Sequence, residues 1–204
     1  MPHFPVPCIA GTVFPQLELF AIEAEHATLV HDWISDDKAR PWLDLGSGRQ
    51  EISRRDLYLM LTGPRTWARL FRLPGSGVPL GLVCLNDVTN AMGAADVWGV
   101  RGSYDMPAPP NTSVAAFLLA LANGFIDCER QVIGSWVVDG NALSVGMHRL
   151  LGMTETGRQR QRHPMGARRL DRLLFDMTRA EFAARFPDVP GQSGRTLRGE
   201  AADA

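Results

Sequence analysis

An asparagine lies where an apolar run gives way to a helical pattern. Residues 131–138 have the composition of a strand, and apolar residues recur at helical spacing over Ala142–Leu151, so Asn141 lies between the two. Asparagine caps helices well, and its side-chain amide carries both a donor and an acceptor. Asn141 can therefore cap the helix, contact a ligand, or do both, with Ser144 free to bond locally or to face the ligand.

Two further residues have types that suit chemistry. Gly99 interrupts a strand-like run at residues 96–100, where a glycine marks a bulge, a close approach of the backbone, or simple packing. His148 lies within the helical pattern. Histidine exchanges protons near neutral pH, although a lone histidine on a helix is commonly a surface or packing residue. Residue type alone leaves both roles open for each.

The composition is that of one soluble globular domain. The chain has 204 residues, of which 45% are hydrophobic and 21% are charged, and its formal net charge is -1. A charge so close to zero exerts no overall attraction on nucleic acid or anionic lipid. We expect the folded domain to span residues 12–190, with flexible tails at 1–11 and 191–204 that are rich in proline or in glycine, serine and arginine.

The chain lacks the sequence features of secreted, membrane and metal-binding proteins. Its three scattered cysteines are too few for a disulfide framework or a CxxC zinc site, and we expect no metal. No apolar run reaches the roughly 18 residues of a membrane span. The proline-rich start lacks the basic and apolar regions of a signal peptide. We therefore expect a cytoplasmic protein without a membrane partner.

Periodicity predicts a single α+β domain. Strands are predicted at residues 17–22, 66–73, 78–88, 96–100, 131–138, 154–162 and 169–177. Helices are predicted over residues 24–34, 36–43, 53–61, 112–127 and 142–151, and a last helix begins at Thr178, where Glu181 completes a capping box. Three consecutive strands suit an antiparallel meander, and the last two suit a hairpin across HPMGA. The order favours one mixed, mostly antiparallel sheet flanked by helices.

A series of short motifs follows the strand predicted at 131–138. The series is Asn141 and Ser144, Leu151-Gly152-Met153, Thr156-Gly157-Arg158, and Asp171-Arg172-Leu173-Leu174-Phe175. It resembles the C-terminal half of the GCN5-related N-acetyltransferases (GNAT family), in particular the ribosomal-protein-alanine acetyltransferase-like branch. That branch shows Asn-x-x-Ser, Leu-Gly-Phe, a Glu-Gly-Arg-type turn and an Asp before an apolar strand. The stretch LELFAIEAEHATLVHDWISDD looks like its first strand and helix, so the resemblance covers most of residues 17–186.

The resemblance implies a fold and an activity. In this family two neighbouring parallel strands splay apart, and the pantetheine arm of acetyl-CoA lies in the gap like an added strand. Asn141 and Ser144 would contact that arm. The implied reaction is transfer of an acetyl group, or a larger acyl group, from CoA to a primary amine by direct attack on the thioester. The acceptor, a small molecule or a protein, stays open, and a homodimer is possible.

The resemblance also assigns the groups that such a transfer needs. Asp96 lies where many relatives carry an acid that takes the amine proton through water, although an ordinary exposed aspartate on a strand is the alternative. A backbone N–H near Gly99 and Val100 would stabilise the charge that grows on the thioester oxygen. His148 stands at the place of a tyrosine that protonates the departing thiolate.

One loop departs from the family pattern. Relatives bind the CoA pyrophosphate with a glycine-rich loop whose amides face the phosphates from a helix start. Here Pro109 and Pro110 occupy that loop, and proline has no N–H to donate. Donors would then come from the helix start at Asn111, Thr112, Ser113, Val114 and Ala115. Alternatively, the chain is a non-catalytic member of the fold or takes its acyl group from a carrier protein.

Two other regions suggest binding hypotheses. Trp42 either packs the first helices or lines an acceptor pocket. The basic run at residues 157–169 forms a solvated strand face, recognises an acidic acceptor or the CoA 3′-phosphate, or binds nucleic acid. Nucleic-acid binding would use Arg158, Arg160, Arg162, Arg168 and Arg169. The run lacks the interleaved aromatics of a single-strand binder, so we expect no nucleic-acid partner.

Overall fold

The computed structural model describes residues 13–46, 48–49, 51–102 and 107–197. The tail predicted at residues 1–11 lies outside these ranges. Among the helices of the described ranges, none has both the length and the apolar character that crossing a membrane requires.

The strands form one mixed sheet. Its described strands are β1 (Glu18–Ala21), β2 (Thr66–Arg72), β3 (Gly81–Asn86), β4 (Ala94–Arg101), β5 (Val132–Val138), β6 (Thr154–Met165) and β7 (Arg168–Thr178). Within the described residues they make a seven-stranded sheet in the order β1-β2-β3-β4-β5-β7-β6. Neighbours are antiparallel except β4 and β5, which are parallel. The predicted α+β fold, meander and hairpin are confirmed.

Helices cover both faces of this sheet. They are α1 (His26–Ser35), α2 (Arg54–Thr62), α3 (Thr112–Ala122, extended by a π turn over Asn123–Asp127), α4 (Ala142–Leu151) and α5 (Arg179–Arg185). α3 has almost no exposed side, because apolar residues surround its axis and bury it against the sheet. α5 begins with the predicted capping box, in which Thr178 and Glu181 each bond the backbone of the other.

The sheet separates two cores. The α3 face buries Val97 of β4 and Ile133 of β5 with α3, α4 and α5. The α1/α2 face buries Val100 of β4 and Leu82 of β3 with the first two helices. Because side chains alternate along a strand, neighbouring residues of β4 and β5 serve opposite faces.

The structure corrects the helix predicted over residues 36–43. α1 ends at Ser35, the next residue, Asp36, has an extended backbone, and only one 3-10 turn follows at Arg40–Trp42. The Asp36 side chain accepts a hydrogen bond from Lys38 N (2.7 Å), a local bond that competes with helix formation. Pro41 in addition lacks the N–H that a longer helix needs. The segment therefore continues as a loop.

Two boundaries also differ from expectation. β6 extends to Met165 and β7 begins at Arg168, so the hairpin turn is shorter than HPMGA. Residues 191–197 were expected in a flexible tail, yet they pack on the domain. Leu197 is buried, and Gln192 accepts a hydrogen bond from the indole N–H of Trp67 (3.3 Å). The folded part thus extends beyond residue 190.

Candidate active site

β4 and β5 pair briefly and then diverge. Their last residue pair is Asp96 opposite Gly134. Beyond it, among the described strands, β4 pairs with β3 alone as far as Arg101, and β5 pairs with β7 alone as far as Val138. This divergence is the predicted splayed strand pair. A cleft of about 370 Å³ includes the gap between the two strands and is bordered by the start of α4 and the loop after α1.

The backbone of β4 directs alternate amides into the gap. Gly93 O accepts from Gln131 N (2.7 Å) on the β5 side, whereas Gly102 N donates to Leu80 O (2.7 Å) on the β3 side. Successive residues of a strand direct their N–H and C=O groups to opposite edges, so the odd-numbered residues of β4 face β5. The N–H of Gly99 therefore faces the gap.

Val100 differs from its neighbour in this respect. It lies opposite Leu82, and its N–H faces β3 by the same alternation, while its buried side chain lines the cleft. Of the two predicted positions for the donor to the thioester oxygen, Gly99 is the one that offers an amide to the gap.

A close contact on the α3 face requires a glycine at position 99. A Cβ added there would lie 2.7 Å from Leu82 O and 2.9 Å from the Phe117 ring. The pairing of β3 with β4 continues through this position without a bulge. Close packing, rather than a bulge in this pair, is therefore the local reason for Gly99.

Asp96 lies where the two strands part. Its carboxylate is directed to the α1/α2 face, and a Cβ at Gly134 would lie 2.7 Å from Asp96 Oδ1, so the glycine makes room for the acid. The residue as a whole is exposed, although its carboxyl group lies partly against the protein. Partial burial of the carboxyl group, with the nearby charge of Asp87, raises the pKa of Asp96. A carboxylate with a raised pKa is a better proton acceptor than an ordinary surface aspartate.

His148 lies behind the opposite face of the gap. It is 2% exposed, its Nδ1 lies 2.7 Å from Ser144 O, and its Nε2 lies 2.8 Å from the hydroxyl of Ser135. The rings of Phe117 and Phe175 pack against the imidazole. Burial lowers the pKa of His148, and the hydrogen bond to Ser144 offsets part of that effect. The imidazole is therefore neutral near pH 7.

The start of α4 combines a cap with a free donor. Asn141 Oδ1 accepts the N–H of Ser144 (3.2 Å), so the asparagine caps the helix. The side-chain NH2 of Asn141 is not used by this bond. Both residues line the cleft. Capping and contact with a ligand are thus compatible here, and Ser144 also holds His148 through its carbonyl oxygen.

The start of α3 is held by bonds to the preceding loop. Asn111 has a left-handed backbone (φ 64°), and Thr112 is buried with its hydroxyl donating to Pro109 O (2.7 Å). Residues 103–106, which include the first two residues of the expected phosphate loop (105–117), lie outside the described residues. A proline-bearing segment thus leads directly into the first turn of the helix.

The first turn of α3 leaves few amides for a ligand. Ala115 N already donates to Asn111 O (2.9 Å), and Thr112 N makes a long bond to Pro109 O (3.4 Å). The next two amides, those of Ser113 and Val114, belong to the first turn, where an α-helix supplies no acceptor of its own. Of the predicted donors from Thr112 to Ala115, these two are the amides that the bonds above leave for a ligand.

A charged cluster holds one wall of the cleft. Arg172, buried on β7, donates to Asp44 Oδ2 (2.7 Å), and its guanidinium lies 3.8 Å from the ring centre of Trp136. Arg172 also contacts His163, which lies 2.6 Å from Pro41 O. This cluster fixes the loop after α1 against the β6–β7 hairpin. Trp42, in that loop, lines the cleft as one of its predicted alternatives requires.

The basic run is partly neutralised. Arg158 donates to both Asp139 (2.6 Å) and Asp171 (2.9 Å) on the surface. Arg169 donates to the backbone oxygen of Gln161 (2.9 Å). These bonds favour the solvated strand face over a continuous basic surface.

Two functional candidates were missed from the sequence. Ser135 is a polar residue on the buried side of β5, between Ile133 and Val137, and this position in the alternation could have identified it. The partnership of Arg172 with Asp44 spans 128 residues of sequence, and no local pattern indicates it. Among the described residues, no group of His, Cys, Asp and Glu side chains could hold a metal ion.

The chain was compared with protein families, curated proteins and solved structures, and it matches solved structures only. No protein-family model and no curated protein sequence matches the chain significantly. Among solved structures, spermidine N-acetyltransferase from Vibrio cholerae, in complex with CoA and spermine, aligns with a TM-score of 0.71 at 14% identity over 81% of this chain and 97% of its own. RimJ from Mycobacterium smegmatis, in complex with CoA-disulfide, gives 0.65 at 16% identity over 83% and 89%.

A GNAT-family acetyltransferase from Bacillus anthracis aligns with a TM-score of 0.65 at 17% identity, over 81% of this chain and 96% of its own. Spermidine acetyltransferases are among the matches, so the likeness does not single out the ribosomal-protein-alanine branch suggested by the motifs. At these identities the comparison concerns the fold. The chain has the fold of the GNAT acetyltransferases.

Proposed function

We propose that this protein is an acyl-CoA-dependent N-acyltransferase that transfers an acetyl group from acetyl-CoA to a primary amine. The observation that carries the proposal is the divergence of β4 from β5 after Asp96 and Gly134, which leaves two unpaired strand edges facing a cleft. An extended, amide-containing chain fits such a gap by bonding as an added strand does. The likeness to acetyltransferases solved with CoA supports the same assignment.

The donor would lie along the gap and across the starts of two helices. The pantetheine amides would bond the open edges of β4 and β5 and the side-chain NH2 of Asn141. The pyrophosphate would meet the amides of Ser113 and Val114, where the helix dipole favours negative charge. The two prolines before them supply no N–H, so we expect weaker phosphate binding than a glycine-rich loop gives.

Direct attack of the amine requires three groups at the point of divergence. Asp96 would take a proton from the incoming ammonium, directly or through a water molecule. The N–H of Gly99 faces the gap and would stabilise the charge that develops on the thioester oxygen. A proton must also reach the departing sulfur, and His148 is its proposed source. Catalysis would otherwise rest on holding the amine close to the thioester.

The acceptor would enter from the α1/α2 face. Asp96 opens to that side, and Trp42 and Trp136 lie on the walls of the same cleft. An ionised carboxylate among aromatic rings suits a cationic amine, since both attract positive charge. A small molecule or a protein amine fits this description.

Calorimetric titration with acetyl-CoA tests the proposal. The variant Asn141→Ala, Ser144→Ala should weaken binding because it removes two polar contacts from the cleft. It also removes a helix cap, which costs about 1 kcal/mol of stability. Ser53→Ala is the matched control, since Ser53 caps α2 through Asp56 N and does not line the cleft.

Micromolar binding that the double variant weakens and the control retains would support the proposal. An absence of heat and of thermal stabilisation at millimolar acetyl-CoA would overturn it. That result would favour the alternative raised by Pro109 and Pro110, a non-catalytic member of the fold or one that takes its acyl group from a carrier protein. Acyl transfer from an acyl-carrier protein would then separate these two.

A further inference from the structure

Ser135 lies at the point of divergence, on the face opposite Asp96. It directly follows Gly134, the last residue of β5 that pairs with β4, so it is the first residue of β5 beside the gap. The residue lines the cleft but is only 8% exposed, and its side chain lies on the side buried by α3 and α4. The hydroxyl therefore adjoins the space assigned to the thioester without being open to bulk water.

Hydrogen bonds determine which partner carries the proton between Ser135 and His148. The carbonyl oxygen of Ser144 can only accept, so Nδ1 of His148, 2.7 Å away, carries a hydrogen. The buried ring is neutral, so Nε2 has none and accepts from the Ser135 hydroxyl at 2.8 Å. Ser135 thus donates to His148 and turns its oxygen lone pairs toward the cleft. In this state His148 is ready to accept a proton and has none to give to sulfur.

Amine acylation involves two protons, and Asp96 accounts for one. An acceptor arrives as an ammonium, R–NH3⁺, and loses one proton before it can attack. After the C–N bond forms, the nitrogen carries a second proton that must leave. The sulfur, which takes the electron pair of the breaking C–S bond, must gain one. Transfer of the second proton from nitrogen to sulfur satisfies both requirements.

We propose that Ser135 is a catalytic residue that carries this second proton from the amine to the departing sulfur, with His148 as the temporary acceptor behind it. As the C–N bond forms, Ser135 Oγ takes the proton from nitrogen and passes its own proton to His148 Nε2. When the C–S bond breaks, the imidazolium returns a proton through Ser135 to the sulfur. Ser135 and His148 end as they began. This inference rests on the proposed function.

The surroundings of the imidazole suit a temporary charge. Phe117 from α3, Phe175 from β7 and Ser135 from β5 face the ring, and none of the three titrates in the physiological range. Burial lowers the pKa of His148, so the imidazolium is a stronger acid than free histidine. A thiol has a pKa of about 8.5, so such an imidazolium readily protonates a thiolate.

The experiment compares Ser135→Ala, Ser135→Thr and His148→Gln with the wild type. CoA release is followed with a thiol reagent, using acetyl-CoA and, as amine probes, spermidine, glucosamine and a peptide with a free N-terminal alanine. Ser76→Ala is the matched control, because Ser76 lies in the exposed turn between β2 and β3. Melting temperatures verify that each variant is folded.

We expect Ser135→Ala to lower kcat by about 10²-fold or more, the usual contribution of a positioned proton carrier. KM for acetyl-CoA should stay within about threefold, since the thioester arm keeps its backbone contacts. Ser135→Thr keeps a hydroxyl and should restore part of the loss. His148→Gln should resemble Ser135→Ala, because glutamine accepts a hydrogen bond but cannot hold the proton.

The pH profile separates a proton carrier from a packing residue. Protonation of either Asp96 or His148 stops the wild type, so log kcat should fall toward acid with a slope approaching two. In Ser135→Ala the imidazole is disconnected, so the slope should approach one. A residue with only a structural role would lower activity without changing this slope.

Each outcome decides between the two proposals. An active wild type with unchanged kcat and slope in folded Ser135→Ala overturns the relay and leaves the acyltransferase assignment intact. A wild type that neither binds nor turns over acetyl-CoA overturns both. Intact mass after incubation with acetyl-CoA alone should match the apoprotein. An acetyl adduct on Ser135 would overturn the relay in favour of a covalent route.

Discussion

The two faces of the split sheet differ in how they handle charge. On the α3 face, the buried, uncharged side chains of Ser135 and His148 share one hydrogen bond. On the α1/α2 face, Asp96 is exposed and the Arg172–Asp44 pair carries full charges in the wall. Adjacent strand residues project to opposite sides, so one point of divergence serves both. We call the α3 face at Ser135 and His148 the dry face, and the α1/α2 face at Asp96 the wet face. The dry face favours proton movement within a fixed hydrogen bond. The wet face favours exchange with solvent and attraction of a cation.

The comparison predicts the largest effect for Asp96→Asn, which removes the proposed proton acceptor on the α1/α2 face. We expect kcat to fall by about 10²- to 10⁴-fold with acetyl-CoA binding unchanged. The pKa of Asp96 is raised, so wild-type activity should increase with pH through a value above 3.8. The variant should lose this ionisation and keep only that of His148, so its log kcat should fall toward acid with a slope approaching one. Steady-state kinetics across pH, with calorimetry for acetyl-CoA, provide the measurement.

Stability gives an independent check on the same residue. A carboxyl group with a raised folded pKa stabilises the fold below its unfolded pKa and loses that contribution as pH rises through the folded pKa. Asp96→Asn should therefore melt at the same or a higher temperature than the wild type at pH 8. Retained kcat in the variant would mean that water alone takes the first proton, and the wet face would have no catalytic role.

The sequence predicts the strands and helices of both faces better than the side-chain partnerships within them. Strand and helix periodicity identified the sheet and its helices, because each element buries a regular stripe of residues. The capping potential of Asn141 and the close approach at Gly99 could also be read locally. The alternation along β5 marks Ser135 as a buried polar residue, but its hydrogen bond to His148 could not be read from it, and the Arg172–Asp44 pair joins residues 128 positions apart. The helix predicted over residues 36–43 failed because local bonds of Asp36 and the missing N–H of Pro41 outweighed periodicity.

Arg172→Met should have the largest effect on stability. Both side chains of the Arg172–Asp44 pair are mostly buried, so removing the cation leaves an uncompensated carboxylate and costs about 3–5 kcal/mol. Burial alone would raise the pKa of Asp44, but bonds from Arg172 and from the amides of Gly48 and Gly46 outweigh it and lower that pKa. Denaturant unfolding at pH 7 measures the loss.

The stability that Arg172 and Asp44 contribute should depend on pH in a definite direction. Asp44 has a lowered folded pKa, so its contribution is present above the unfolded value of 3.8 and disappears as pH falls through the folded pKa. The difference between wild type and Arg172→Met should therefore shrink on acidification below that range. Arg172→Met, Asp44→Leu should recover part of the loss, and a double variant as unstable as the single one would contradict the pairing.

Gly99→Ala tests the dry face by packing. The added Cβ must displace Leu82 O or the Phe117 ring, and we expect a loss of about 1–3 kcal/mol. The shift of β4 should also weaken acetyl-CoA binding, which calorimetry measures. Gly77→Ala is the control, because a Cβ there meets no atom within 4 Å. Equal effects of the two substitutions would show that β4 tolerates the methyl group and that the dry face is loosely packed.

The smallest effect is expected for Arg158→Ala, on the same hairpin as Arg172. Arg158 also pairs with carboxylates, Asp139 and Asp171, but all three are open to solvent, where screening and side-chain entropy offset most of the attraction. Its melting temperature should differ from wild type far less than that of Arg172→Met, and the difference should vanish in 0.5 M salt, where the screening length is only several ångströms. A shift as large as that of Arg172→Met would show that burial is not what distinguishes the two arginines. In that case the exposed ion pairs of Arg158 would stabilise the hairpin as strongly as the buried pair of Arg172 with Asp44.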